Sequence, residues 1–127
     1  MASTVLVDED IKRGRQTLQA LDDAGVRPKA AFWRYLPESS DWRFVVALPT
    51  FNQDGPLRVY DQVRRILKQR QIELPVWRIT VLGTDDPVAR WARRRVRGAR
   101  VDVRSSTGAA DDTLVEDAYI YRNLSER

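Results

Sequence analysis

With 127 residues, 43% of them apolar, and four tryptophans, the chain is sized for one core rather than two, and its net charge is only +4. It contains neither cysteine nor histidine, which excludes disulfides, thiolate nucleophiles, Cys- or His-ligated zinc and serine–histidine hydrolysis. Any catalysis falls to Asp, Glu, Lys, Tyr, Ser or Thr, and any metal would be a hard cation held by carboxylates.

Met1 to Asp10 carries three consecutive acids instead of the basic start and apolar run of a signal peptide. No apolar run approaches the ~18 residues that would span a membrane, so a soluble, cytoplasmic protein is expected. The first helix opens at Asp8-Glu9-Asp10, where acids face the positive end of the helix dipole. Ile11, Leu18 and Leu21 mark its apolar face, Gly25 supplies a C-terminal cap, and Arg27-Pro28 blocks continuation. Gly14 lies inside this helix at a cost of up to ~1 kcal/mol relative to alanine, which either a close packing contact or tolerance explains.

Ala30 to Leu36 and Trp42 to Leu48 flank the turn formers Pro37 to Asp41 and predict a β-hairpin. Phe44 to Leu48 is apolar on both faces, the mark of a central strand covered on each side. Asn52 to Pro56 is expected as a loop, with Pro56 at the first position of a second helix. The apolar residues of that helix are Val59, Tyr60, Val63, Ile66 and Leu67. Pro75 introduces a strand over Val76 to Leu82.

Gly83-Thr84-Asp85-Asp86-Pro87 combines a turn, an N-cap and a first-position proline. A third helix follows, with Val88, Trp91, Ala92 and Val96 inward and Gly98 as its cap. Val101 and Val103 alternate with Arg100, Asp102 and Arg104 as a fourth strand. Ser105 to Asp112 is expected as a loop and Leu114 to Tyr121 as the last strand, with residues 1–7 and 123–127 frayed. The order α-β-β-α-β-α-β-β implies an α/β fold of the α+β type. Residues 1–127 form a single domain, a mixed sheet of about five strands with three helices packed on it.

Nineteen of the 22 basic residues are arginine, a bias that GC-rich coding also produces. Their position says more. Pro87 to Arg104 holds seven Arg and one Asp, a local charge of +6 that leaves the rest of the chain at −2. Arg90, Arg93, Arg94 and Arg97 fall at i, i+3, i+4 and i+7 on one helical stripe, and Arg100 and Arg104 extend it. Like charges so spaced repel unless an acidic surface or a polyanion relieves them. The stripe is therefore a candidate site for nucleic acid or an acidic protein partner, against the plainer reading of a solvated helix face.

Trp33, Trp42, Trp77 and Trp91, with Tyr35 and Phe44, would suit base stacking, yet they sit in periodic apolar segments where aromatic residues usually form core. Glu116 and Asp117, near Asp111 and Asp112, are the candidate carboxylates for a divalent metal and phosphodiester cleavage. No metal or catalytic site is assigned, since the one acid-x-Lys triplet, Asp10-Ile11-Lys12, lies in a helix. Ser105-Ser106-Thr107-Gly108 lacks the Gly-Lys-Ser/Thr ending of a phosphate loop.

At Glu116-Asp117-Ala118-Tyr119-Ile120-Tyr121-Arg122 the chain resembles a family of small uncharacterised bacterial proteins that end in a similar string. The resemblance extends to Asp8-Glu9-Asp10-Ile11, Trp42-Arg43-Phe44-Val45 and Gly55-Pro56. It implies a single-domain unit of this size and carries over no activity, cofactor or site residue. The sequence thus predicts a non-catalytic binding or accessory protein without cofactor. The alternatives are a carboxylate-metal nuclease and a protein–protein interaction subunit or homo-oligomer, the last suggested by the many Arg and aromatic residues.

Overall fold

The computed structural model describes residues 6–90, 103–110 and 113–123, with side chains for 6–36, 38–90 and 118–121. The three acids open α1 (Asp8–Asp23) as expected. It ends in a Schellman motif: Gly25, at φ 81°, donates to the carbonyl of Asp22 at 3.0 Å and Val26 to that of Leu21 at 2.9 Å. The hairpin follows as β1 (Ala30–Leu36) and β2 (Asp41–Leu48), paired antiparallel from Ala30↔Ala47 to Leu36↔Asp41.

Asn52 to Pro56 departs from the expected loop. Phe51 packs against the core, and Asp54 and Gly55 donate back to the carbonyls of Thr50 and Phe51 at 2.9 and 3.0 Å. These bonds close a single helical turn, α2 (Phe51–Asp54), before Pro56 starts α3 (Pro56–Gln69). This helix buries Val59, Val63, Ile66 and Leu67. It too ends in a Schellman motif, with Gln71 at φ 54° in the place that Gly25 occupies after α1.

The strand expected from Val76 begins only at Ile79, as β3 (Ile79–Gly83). Val76–Arg78 is a 3-10 turn, because Arg78 is drawn off the sheet line by bonds to both carboxylate oxygens of Asp10, at 3.1 and 3.3 Å, and to the carbonyl of Trp42. The expected loop at Ser105 to Asp112 is also corrected. β4 (Val103–Ala110) and β5 (Thr113–Asn123) pair from Val103↔Ile120 to Ala110↔Thr113. Small residues without apolar alternation are held in this ladder by the hairpin partner, a tertiary cause that overrides propensity.

The result is a mixed five-stranded sheet in the order β3-β2-β1-β5-β4, with β2 and β3 parallel and the other pairs antiparallel. Phe44–Leu48 is interior, as its double-sided apolarity implies, and alternation splits its side chains between two cores. Phe44, Val46 and Leu48 join Ala31, Trp33 and Tyr121 under α1 and α3. Val45 and Ala47 join Ala30, Phe32, Ala118 and Ile120 on the opposite face, beneath Val88 and Ala89. The first core is aromatic, with Phe44 5.3 Å from Trp33 and 5.9 Å from Tyr121 between ring centroids. Order extends into both segments expected to fray, since Leu6 is buried and Asn123 pairs with Ala30. Among the described residues no helix is long and apolar enough to cross a membrane.

Candidate anion-binding surfaces

The helix expected to carry the arginine stripe starts where the sequence places it. Asp86 Oδ1 accepts from the Val88 amide at 2.9 Å, Pro87 occupies the first helical position, and the Arg90 amide donates to the Asp86 carbonyl at 3.0 Å. The cap also fixes the rotational phase. Val88 and Ala89 turn into the second core and Arg90 is exposed. Gly83 tightens the approach to this turn, because a Cβ there would lie 2.8 Å from Asp85 Oδ1 and 3.2 Å from Asn52 Oδ1.

Of the remaining stripe, Arg93, Arg94, Arg97 and Arg100 lie outside the described residues. Arg104 is described by its backbone alone, on β4 opposite Tyr119. Glu116 and Asp117 are likewise backbone positions on β5, with Asp117 opposite Ser106. Among the described residues there is no cluster of three or more metal-ligating side chains. Ser105 to Gly108, tested against a phosphate loop, belongs to the β4 ladder.

A charge that sequence reasoning missed lies on the same sheet face as Val88 and Ala89. Arg34 sits in the middle of β1, directly opposite Arg43 on β2, a like-charge pairing that disfavours the sheet. Arg43 is compensated: its Nε reaches Asp41 at 3.1 Å, its Nη1 donates to the Trp77 carbonyl at 2.7 Å, and it lies over the Trp77 ring. Arg34 is not compensated in this way. Its Nε is buried without a hydrogen-bond partner, and desolvation lowers its pKa against the opposing pull of Glu38 and Asp86. The sole hint in the sequence was a charged residue inside the aromatic run Phe32-Trp33-Arg34-Tyr35.

The aromatic residues sort largely as core. Trp33, Trp42 and Phe44 are buried and Tyr35 is half-buried, its ring 5.4 Å from that of Trp42. Trp77 is the correction, 60% exposed on the 3-10 turn before β3. Trp91 lies outside the described residues. Compared with protein-family models, curated proteins and solved structures, the chain matches none.

Proposed function

We propose that this is a cytoplasmic, non-catalytic binding protein whose arginine stripe contacts a polyanion, nucleic acid foremost. The reading is supported by the start of the capped helix, where Val88 and Ala89 are inward and Arg90 is exposed; were the helical repeat to continue, Arg93, Arg94 and Arg97 would return to the side of Arg90. Four like charges on one stripe repel one another, and a phosphate backbone converts that repulsion into attraction with counterion release.

Binding to duplex and single-stranded DNA and RNA is measured against salt. With Z phosphates contacted, the log–log slope is expected near roughly −0.9Z for duplex and about −0.7Z for single strands. On this reading the Arg93→Gln, Arg94→Gln double variant flattens that slope at unchanged thermal stability, since arginines that faced solvent would contribute little to the core. A folded protein without salt-sensitive binding at low ionic strength rejects the nucleic-acid reading and leaves an acidic protein partner or self-association. Magnesium-dependent cleavage lost in Glu116→Gln or Asp117→Asn would replace it with the nuclease.

A further inference from the structure

Of the described tryptophans, Trp33 and Trp42 are buried, whereas Trp77 is 60% exposed on the 3-10 turn Val76–Arg78. Its neighbours are anchored inward. Leu74 and Ile79 belong to the first core, and Arg78, next in the chain, is tied to the Asp10 carboxylate and the Trp42 carbonyl. The turn therefore carries a large apolar ring on a fixed base.

The ring itself is also held. The Arg43 guanidinium lies over it, 5.3 Å from its centroid, within the range of a cation–π contact. Arg43 Nη1 donates to the Trp77 carbonyl at 2.7 Å, and Arg43 Nε donates to Asp41 at 3.1 Å. One arginine, oriented by an acid, thus secures both the backbone and one face of the indole. With that face covered and 60% of the residue still exposed, the opposite face is the one presented to solvent. Arg43 stands two residues before Val45 on β2, so strand alternation puts it on the sheet face that Val45 shares with Val88 and Ala89. The backed indole and the start of the Pro87 helix lie on the same side of the sheet.

We propose that Trp77, backed by Arg43, is a stacking platform for one base of a single-stranded nucleic acid, a site that rests on the nucleic-acid reading above and narrows it to single strands. A flat ring with one open face accepts any nucleobase, since every base has a π-face. A base inside a duplex is already stacked on both sides, whereas an unpaired one can be splayed onto an aromatic ring. The net charge of +4 supplies long-range attraction for a polyanion, from which an apolar protein partner gains nothing. A ring ordered before the ligand arrives loses less entropy on binding.

The test is a titration of the full chain with oligothymidylate at low salt, followed by tryptophan fluorescence and by anisotropy of the labelled oligonucleotide, with a duplex of the same length as comparison. Saturable quenching by the single strand, lost in folded Trp77→Phe protein and not produced by the duplex, is the expected result. Trp77→Ala weakens single-strand binding about five- to 150-fold, the range of one base–aromatic stack, and Trp77→Phe recovers part of it. Arg43→Gln weakens binding while Trp77 is present and has no further effect in the Trp77→Ala background, because the arginine acts through the ring. The stripe variant Arg93→Gln, Arg94→Gln keeps the quenching at saturation, so the two sites are judged separately. Salt-sensitive binding that survives Trp77→Ala unchanged would overturn the platform and leave the stripe standing. Oligothymidylate that leaves Trp77 unquenched, or an Arg43→Gln loss of equal size in both backgrounds, would also overturn the proposal.

Discussion

Replacing Gly14 with alanine tests the seat of α1 on the sheet, because helix propensity and packing predict opposite signs. Propensity alone favours alanine by about 1 kcal/mol in a helix interior. Packing opposes it, since a Cβ at Gly14 would stand 2.5 Å from Tyr121 Oη, 2.6 Å from Trp33 Nε1 and 2.9 Å from Tyr121 Cε2, an intrusion of roughly 1 Å into contacts that prefer about 3.5 Å. Those atoms cannot simply yield. Trp33 Nε1 donates to Tyr121 Oη at 3.0 Å, and Tyr121 Oη donates to the Ile11 carbonyl of α1 itself. Relief requires lifting α1 or breaking a buried relay whose bonds contribute about 1 kcal/mol each. With overpacking at ~1–3 kcal/mol, one relay hydrogen bond lost at about 1 and propensity returning about 1, Gly14→Ala is expected to lose about 2 kcal/mol. That corresponds to a melting temperature lower by roughly 5–10 °C for a domain of this size. Urea unfolding followed by tryptophan fluorescence gives the value. Combining Gly14→Ala with Tyr121→Phe removes the nearest clashing atom, so the double variant should be more stable than the sum of the single effects by about 0.5–1 kcal/mol. A Gly14→Ala protein as stable as the parent, or strict additivity in the cycle, refutes the reasoning.

Arg78→Lys keeps the charge but loses the fork on Asp10, a pair in which both side chains are less than one-fifth exposed. A loss of about 1–2 kcal/mol in denaturant unfolding is expected, and none would show that the bidentate geometry is unimportant. Asp86→Ala removes the acceptor of the Val88 amide; it should cost about 0.5–2 kcal/mol and speed hydrogen exchange at Val88, with Asp86→Ser recovering most of both. The hydrogen bond from Arg64, helped by the charge of Arg65, holds the Asp61 carboxyl below its ordinary pKa. A depressed folded-state pKa contributes stability above the unfolded value and loses it as pH falls through the folded one. Because the Asp61 side chain is still 35% exposed the effect on stability is small and salt-screened, so the measurement is its NMR titration: Arg64→Gln should move the midpoint upward, and an unmoved midpoint contradicts the assignment.

What the sequence made legible was local. The caps at Asp86-Pro87 and Gly25, the Pro56 start and the double-sided apolarity of Phe44–Leu48 each depend on residues within a turn or a strand of one another. What it hid was created by partners distant in the chain. β4 is a strand because β5 pairs with it, although Ser105 to Gly108 reads as loop. Val76 to Arg78 has strand composition but is turned aside by the ion pair between Arg78 and Asp10 on α1. The cost at Gly14 was visible, while its cause required knowing that Trp33 and Tyr121 meet beneath it. The candidate sites divide in the same way: the arginine stripe is a pattern within one segment, whereas the pairing of Arg34 with Arg43 exists only once β1 and β2 are brought together.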